Sequence, residues 1–493
     1  MKGHTLTVIL IVCLLSGCVG RYFHDVQPVR EVQQTSLSGL PFDEYWTGIV
    51  FNGRKIGFSR FAIRARDSGS EEYEIISEAS ISFHFMTIEK KITMQGRDVV
   101  TKDLVLKNFQ YEYVIDGNPL QQNGRVENGK LTVEVVTGGE AVFQDYPLAS
   151  ALYPLSVSAL YPVVHGLKIG RSYEYVVYNG ETRRLSLVRQ QVKAYERSEL
   201  FPGAAYRIET EMQGQKVTTW IDAMGRPVLE MSLGGVIIAG LESESAAKHY
   251  LVAGAFNKSD VIIDYSLIKT EQAIEDPRHV SRMEVQLSFP GAPETLPWGP
   301  GQNCAMRTSG MHCTIIKQSL EFDPQPGREN RSVERYLQSS ITIPSRSLAI
   351  METAQDITVH SGTTLESVEL LLAWITENIA KKPVDVFSAL DVLRERQAEC
   401  QGHAYLYTAF ARALGIPTRV VNGLVYSAGH QGFLFHTWTE SLINGVWIAI
   451  DPTFGQLGVD ATHIKLHEGE ELADLLPLIE VIGKVKLTVL SYQ

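Results

Sequence analysis

The chain has 493 residues, of which 44% are hydrophobic and 20% are charged, and its formal net charge is -11. A single hydrophobic core rarely grows beyond roughly 250–300 residues, so a chain of this length is expected to fold as about two to four domains. The acidic balance and the lack of a long Lys or Arg run argue against a nucleic-acid-binding surface, and we expect no nucleic-acid partner.

The N-terminus carries a short apolar segment behind Lys2. Residues Thr5 to Leu15 are too few to span a bilayer, and they predict a secretory signal peptide over residues 1–17. The segment ends in Leu-Ser-Gly-Cys18, which resembles the lipobox of bacterial lipoproteins, a family in which this cysteine becomes the lipidated first residue. Val19 follows in place of the Asp that typically retains lipoproteins at the inner membrane. The resemblance therefore implies a lipid anchor at Cys18 on the outer membrane, facing the periplasm; a plain signal peptide is the alternative.

Two β-rich regions are predicted behind a polar tether at residues 18–40. Residues 41–250 contain short alternating runs, and dipeptides such as Asn52-Gly53 and Asn128-Gly129 between these runs favour tight hairpins. We expect an antiparallel β domain there, in one or two sheets. Residues 251–345 are also strand-like and predict a second β-rich domain, which ends where Pro344 and a helix-capping Ser345 mark a boundary.

The cysteines follow from the predicted compartment. Cys13 would leave with the signal peptide and Cys18 would carry lipid, so Cys304, Cys313 and Cys400 would remain in an oxidising environment. Cys304 and Cys313 flank a short loop and are candidates for a local disulfide, with two unpaired thiols as the alternative. Their pairing would leave Cys400 as the free thiol.

Helices appear after residue 345 and strands follow them, which is an α+β pattern. Val368, Leu371 and Ile375 fall on one face of a predicted helix. A second helix begins at Cys400 and ends near Leu414. Cysteine is nucleophilic near neutral pH, and a helix start favours its thiolate, so Cys400 is a candidate nucleophile.

A hairpin downstream brings together a histidine and an aspartate. Asn444-Gly445 suits a two-residue type I′ turn, which places Ile443 opposite Val446. In that register His436 and Asp451 are diagonal neighbours on one sheet face, with Cβ atoms roughly 7 Å apart. An imidazole and a carboxylate can bridge this gap, so Asp451 is predicted to orient His436.

These residues carry a family resemblance. Residues about 346–470, in a domain that we place at 346–493, resemble the transglutaminase-like superfamily, which has a permuted papain-like fold. The resemblance lies in Cys400 before an Ala-rich helical segment, His436-Thr-Trp-Thr-Glu, and Asp451-Pro-Thr. The resemblance implies an α+β domain with Cys400 as nucleophile, His436 as general base and acid, and Asp451 as the orienting group. It also implies an acyl-transfer reaction through a thioester, with no cofactor. The β regions resemble those of envelope lipoproteins of this type, without a diagnostic motif.

Other polar residues near the site have weaker assignments. The Cys400 backbone N–H can donate to an oxyanion, and Gln397 is a candidate second donor, with a solvent-facing loop residue as the alternative. Glu399 is expected to be solvated. His463 and His467 have a spacing that binds metal on a helix, but no third ligand is evident, so we expect two exposed polar residues and no metal.

Three functions remain open from the sequence. The leading one is a lipid-anchored cysteine peptidase or amidase that acts on protein or peptide substrates in the cell envelope, with water resolving the thioester. The first alternative is a transglutaminase that joins glutamine to amines. The second is a non-catalytic envelope binding or assembly protein on a degenerate enzyme fold. The sequence does not indicate the oligomeric state.

Overall fold

The computed structural model describes most of the chain beyond the predicted signal segment. Cys18 and residues 1–17 lie outside the described ranges, so the lipid anchor stays a prediction. Among the residues that the structure describes, no helix is both long and apolar enough to cross a membrane. The described residues are 22–28, 36–66, 71–85, 88–254, 261–289, 296–308, 310–319, 333–479 and 481–493.

The N-terminal region is one large, mostly antiparallel sheet, as the β-strand pattern predicts. Asn128 and Gly129 both have positive φ, 51° and 71°, because the tight turn between two strands requires left-handed backbone at both positions. The strands are β1 (Phe23–Asp25), β2 (Glu44–Phe51), β3 (Arg54–Ala65), β4 (Glu72–Phe85), β5 (Ile88–Thr101), β6 (Leu106–Ile115), β7 (Asn118–Glu127), β8 (Lys130–Thr137), β9 (Glu140–Pro147), β10 (Leu152–Pro154), β11 (Ser172–Asn179), β12 (Arg184–Ser198), β13 (Phe201–Met212), β14 (Gln215–Asp222), β15 (Pro227–Ser232) and β16 (Ile237–Glu242).

Each half of this sheet is a run of sequential neighbours. Strands β2 to β9 form one run and β10 to β16 the other, and the two runs join where β16 pairs with β2. Strand β1 adds to β12, and β10 with β11 is a parallel pair. Consecutive hairpins explain the order, because short turns leave each strand next to its predecessor.

The helices lie mainly in the C-terminal part. Val368, Leu371 and Ile375, which are predicted to share a helical face, are fully buried against the core of that part. The helices are α1 (Tyr161–His165), α2 (Glu244–Gly254), α3 (Val261–Ser266), α4 (Leu348–Ile357), α5 (Thr364–Asn378), α6 (Ala389–Glu395), α7 (Cys400–Ala413) and α8 (Leu472–Ile479).

The remaining strands form the C-terminal sheets. One sheet has the order β26-β25-β24-β23-β27, with β17 paired to β24; a second has the order β19-β20-β18-β28; and β21 pairs with β22. The strands are β17 (Ile268–Lys269), β18 (Arg282–Ser288), β19 (Gln302–Arg307), β20 (Gly310–Ile316), β21 (Ala380–Lys381), β22 (Gln397–Ala398), β23 (Thr418–Ser427), β24 (Gly432–Ile443), β25 (Val446–Asp451), β26 (Gln456–Leu457), β27 (Ile464–Glu468) and β28 (Lys486–Tyr492).

The strands of residues 251–345 are shared with the C-terminal part. Strand β18 pairs with β28 from the end of the chain, and β17 pairs with β24. The division at residue 345 stays a prediction, although hydrogen-bonded sheets cross it. Cys304 and Cys313 face each other on β19 and β20 and form a disulfide with an S–S distance of 2.00 Å.

The hairpin of β24 and β25 has the predicted register. Ile443 pairs with Val446 and Thr439 pairs with Ile450. Asn444 and Gly445 have φ of 51° and 81°, which is the left-handed backbone of the predicted turn. The turn chemistry therefore fixes which side chains of the two strands share a face.

Candidate active site

The candidate nucleophile Cys400 lies at the first residue of α7. Glu399 is the N-cap in extended conformation, and the helix then packs tightly on the preceding loop. A Cβ on Gly402 would lie 2.5 Å from the Cβ of Ala398 and 3.1 Å from Val386, so only glycine allows this approach. Cys400 is half-buried and is a free thiol, at a helix start that favours negative charge.

Strand β24 presents His436 to both Cys400 and Asp451. His436 Nε2 lies 2.8 Å from Asp451 Oδ2, and the imidazole is close enough to Cys400 for that residue to raise the pKa of His436. Since Nε2 is occupied by the carboxylate, Nδ1 is the ring nitrogen left for the sulphur. The structure thus brings together the three residues that the sequence singles out.

Asp451 is a fully buried carboxylate whose oxygens are all occupied. Oδ1 accepts from the backbone N–H groups of Thr453 at 2.7 Å and Phe454 at 3.2 Å. Oδ2 accepts from His436 and from His463 Nε2, the latter at 3.1 Å. Burial raises the pKa of Asp451, but the charges and hydrogen bonds of the two imidazoles hold that pKa well below its usual range.

The environment of His436 favours its protonated form. Burial lowers the pKa of the imidazole, but the negative charges of Asp451 and Cys400 outweigh burial and raise the pKa to about 9. The ring stacks on Phe454, with centroids 5.0 Å apart and an interplanar angle of 17°. A protonated His436 beside Cys400 is the arrangement of a thiolate–imidazolium pair.

His463 is misplaced by the sequence prediction, which expects it to be exposed. Its side chain is fully buried, with Nε2 on Asp451 and Nδ1 3.3 Å from Asp460 Oδ1. His463 and His467 do not lie on one helix, as the metal-binding spacing would need, because residues 464–468 form strand β27. A local signal for this residue exists in Asp460-Ala-Thr-His463, since Asp460 Oδ1 accepts from the Thr462 N–H at 2.9 Å in a tight turn.

One group of described residues has spacing that suits a metal ion. Ligand atoms of His436, Asp451 and His463 lie within 4.8 Å of one another. Both Nε2 atoms are at hydrogen-bond distance from the same carboxylate oxygen, so a cation would have to replace both hydrogen bonds. Direct hydrogen bonding accounts for the geometry, and the expectation of no metal stays a prediction.

Gln397 lies on β22, three residues before Cys400, and is half-buried. The strand is held by its pairing with β21, in which Ala380 lies opposite Gln397. The backbone N–H of Cys400 lies in the first turn of α7, where helical N–H groups lack intrahelical acceptors. Oxyanion support from Gln397 remains a prediction.

The expectation of a solvated Glu399 is wrong. Its side chain is half-buried beside Asp385, and burial together with the charge of Asp385 raises the pKa of Glu399 well above its usual value. Lys90 from the N-terminal sheet contacts Asp385 at 2.9 Å and Asp116 at 3.0 Å. The surroundings of Glu399 could not be read locally, because Lys90 and Asp385 are 295 residues apart in sequence.

A cavity of about 440 Å³ lies between the N-terminal sheet and the C-terminal part around α7, and we call it the interface cavity. Its C-terminal side includes Val386, Phe387, Tyr405 and Gln401, the residue after Cys400. Its sheet side includes six neighbouring side chains on β4, β5 and β6, which are Ala79, Ile81, Ile92, Met94, Tyr113 and Ile115. Leu120 on β7 and the turn residues Glu181 and Arg183 also line this side, and Asp385 lines the opposite one.

Sequence comparisons identify related proteins for part of the chain. Residues 351–452 match the family described as the transglutaminase-like superfamily. The chain is 27% identical over 140 residues to the Kyphoscoliosis peptidase of Mus musculus, and 28% identical over 127 residues to that of Homo sapiens. These matches cover 26% and 23% of this chain but only 21% and 19% of the relatives, about a fifth of their length.

Two solved structures are also similar. A candidate cysteine protease from Cytophaga hutchinsonii is 20% identical, with a TM-score of 0.29, over 46% of this chain and 83% of that chain. A beta-barrel-like protein of domain of unknown function DUF1849 from Brucella abortus is 9% identical, with a TM-score of 0.32, over 43% of this chain and 98% of that chain. At these TM-scores neither structure carries an argument.

The family match and the local geometry coincide. The matched residues include the helix start at Cys400 and the hairpin of His436 and Asp451, on helices packed against an antiparallel sheet. Residues 351–452 of this chain form a domain of the transglutaminase-like superfamily.

Proposed function

We propose that this chain is a cysteine hydrolase of the cell envelope that cleaves peptide or amide bonds through a thioester. One observation carries the proposal: His436 bonds at 2.8 Å to the buried Asp451 and lies beside Cys400 at a helix start. Kyphoscoliosis peptidases, which are similar to this chain over about a fifth of their length, are named as peptidases, and this name is the reason that we propose hydrolysis ahead of cross-linking.

The proposed reaction uses His436 as a proton carrier. The Cys400 proton moves to His436, and the thiolate attacks the substrate carbonyl carbon to form a C–S bond. The oxyanion accepts from the Cys400 N–H, with Gln397 as the proposed second donor. Collapse breaks the C–N bond, and His436 gives its proton to the leaving amine.

Water then completes the cycle. His436 takes a proton from water, the hydroxide adds to the thioester carbonyl, and the C–S bond breaks to release the acid and the thiolate. Asp451 keeps His436 oriented through both steps and stabilises the imidazolium. A lysine amine in place of this water would make the enzyme a transglutaminase.

The interface cavity supports a protein or peptide substrate with an apolar side chain near the scissile bond. The patch on β4, β5 and β6 is apolar except for the Tyr113 hydroxyl, whereas Glu181, Arg183 and Asp385 place charge elsewhere in the lining. Gln401 brings the edge of the cavity to the residue next to Cys400. A pocket of this size and composition can bury one large aliphatic or aromatic group. We therefore propose that such a group is part of the substrate class.

Membrane attachment is proposed from the lipobox alone. The resemblance at Cys18 supports a lipid anchor on the outer membrane, with the folded part in the periplasm. Labelled fatty acid should be incorporated into the wild-type chain and lost in Cys18→Ala. Incorporation that survives this substitution would contradict the anchor.

The thiol chemistry is tested with iodoacetamide. We expect Cys400 to be alkylated fast at pH 7 and at least about ten-fold more slowly in His436→Ala, because the thiolate loses its partner. Mass spectrometry of the Cys400 peptide measures the rate, and His467→Ala is the matched control. Equal slow rates in wild type and His436→Ala would support a non-catalytic binding protein instead.

Product analysis separates the two enzymes. Candidate peptide amides incubated with dansylcadaverine should release free acid if water is the acceptor. Incorporation of the dansyl amine in place of acid release would establish the transglutaminase reaction.

A further inference from the structure

We propose that His463 is a positioning residue, which fixes the Asp451 carboxylate against His436 by donating a hydrogen bond from Nε2. The inference rests on the proposed thiol chemistry and adds to it a residue outside the matched family region. His463 does not contact the sulphur in this arrangement and acts only through Asp451.

The contacts of His463 are those of a bridge between two buried carboxylates. Its Nε2 lies 3.1 Å from Asp451 Oδ2, and its Nδ1 lies 3.3 Å from Asp460 Oδ1. All three side chains are fully buried. A ring held at both nitrogens by anions is fixed in rotation, and it therefore restrains the carboxylate that it contacts.

Asp460 is itself anchored from outside the hairpin. Its Oδ2 accepts from Arg278 at 2.8 Å and from Gln456 Nε2 at 2.9 Å, and its Oδ1 accepts from the Thr462 N–H. Burial raises the pKa of Asp460, but the hydrogen bond and charge of His463 hold that pKa below its usual range. Asp460 is therefore an anion that favours a protonated His463.

The charges alternate along the whole line. When Cys400 is a thiolate and both imidazoles are protonated, the sign of the charge alternates along Cys400, His436, Asp451, His463, Asp460 and Arg278. This pattern compensates the cost of burying Asp451, which a single imidazole would offset only in part.

Arg278, the last residue of this line, also contacts a ring that packs on His436. The Arg278 guanidinium lies 3.8 Å from the ring centroid of Phe454, and Phe454 stacks on His436. On the other side, the Trp438 ring meets the His463 ring edge-on at 5.3 Å. His463 is thus packed against Trp438 while its two ring nitrogens contact Asp451 and Asp460, as a positioning role requires.

Residues beyond the family match therefore complete the site. The match ends at residue 452, whereas Asp460 and His463 lie after it and Arg278 lies before its start. The segments that carry these three residues meet the hairpin of β24 and β25 only in the folded structure.

The test measures the pH dependence of Cys400 alkylation by iodoacetamide in the full-length protein. In His463→Ala we expect the midpoint of the acid limb to rise by about one pH unit, because a loosened Asp451 stabilises the imidazolium less. Below that midpoint the alkylation rate should be about ten-fold lower than that of wild type at the same pH. In His463→Gln we expect a profile near wild type, since the amide nitrogen can still donate to Asp451.

Two further variants complete the design. Asp460→Asn keeps the shape but removes one anchor of His463, and we expect an upward shift smaller than that of His463→Ala. His467→Ala replaces a histidine on the adjoining strand β27 for which no contact with Asp451 is described, and this variant should match wild type. Thermal unfolding establishes that each variant is folded.

Each outcome decides the proposal. Coincident profiles for wild type and His463→Ala would overturn it, as would equal impairment in His463→Gln and His463→Ala. If His463→Ala does not fold, Asp460→Asn carries the test, and a wild-type profile there overturns the proposal. Slow, His436-independent alkylation of the wild type would instead remove the proposed function and this inference with it.

Discussion

At the scale of single residues, the site is a set of buried charges that hold one another. Asp451 receives four hydrogen bonds, two of them from the imidazoles of His436 and His463. Both imidazoles have pKa values raised from 6.5 to about 9, in spite of burial, because carboxylates contact them. Protonation of His436 and His463 therefore affects both the candidate chemistry and the local stability.

This linkage predicts a stability loss on the alkaline side. A histidine with a raised folded-state pKa stabilises the fold fully below pH 6.5 and loses that contribution as the pH rises through about 9. For His436 alone, a pKa raised from 6.5 to about 9 corresponds to a fall of about 3 kcal/mol in the free energy of unfolding across this window. Urea unfolding at several pH values measures it, with Asp451→Asn as the control that should show a smaller slope. A flat profile would contradict the assigned protonation states.

At the scale of elements, turn and strand chemistry decided most of the geometry. The Asn444-Gly445 turn sets the register of β24 and β25, and a two-residue period then puts His436 and Asp451 on one face. Both facts are local, which is why the sequence predicts them. The pairing of β18 with β28 is not local, because it joins segments about 200 residues apart.

The hairpin of β19 and β20 offers a stability test. The Cys304–Cys313 disulfide closes a loop with a sequence separation of 9. Replacing both cysteines by alanine should lower the free energy of unfolding by about 2–3 kcal/mol, since the unfolded chain regains the entropy of the open loop. Cys400→Ala, which removes an unpaired thiol, should change it far less. An equal effect of the two changes in denaturant unfolding would contradict the structural role of the disulfide.

At the scale of the whole molecule, the N-terminal sheet contacts the loops that lead to Cys400. Lys90 on β5 is almost fully buried and bridges Asp116 of the sheet to Asp385, close to the half-buried Glu399. The interface cavity lies beside these contacts. The sheet therefore contributes a buried ion pair to the loops before Cys400 and one wall of the interface cavity.

The buried lysine provides the first test at this scale. Lys90→Met should lower the free energy of unfolding by roughly 2–4 kcal/mol, because two carboxylates lose a buried counter-charge. Lys107→Met, at an exposed position on the next strand, should change it by less than about 0.5 kcal/mol. Equal effects of the two substitutions would argue against coupling between the sheet and the loops before Cys400.

The interface cavity provides the second test. N-hexyl-iodoacetamide should alkylate Cys400 faster than iodoacetamide does, because its chain can enter the apolar space. Ile92→Trp, which fills the centre of the apolar patch, should abolish this preference and leave the iodoacetamide rate unchanged. Val142→Trp, at an exposed position on β9, is the control. The same preference in wild type and Ile92→Trp would exclude the cavity as a substrate pocket.

The sequence alone determined the parts of the protein that depend on neighbours along the chain. Turn dipeptides and alternation predict the antiparallel sheet, helix signals predict Cys400 at the start of α7, and the hairpin register predicts the bond between His436 and Asp451. These features could be read because tight turns and helix ends restrict backbone angles within a few residues.

Only the tertiary structure decided which distant residues share that site. His463 was expected at the surface and Glu399 in solvent, yet one bonds to Asp451 and the other lies beside Asp385. Arg278 reaches Asp460 across 182 residues. Such contacts leave no periodic signal, because they arise where separate segments pack together and where each buried charge must meet one of opposite sign.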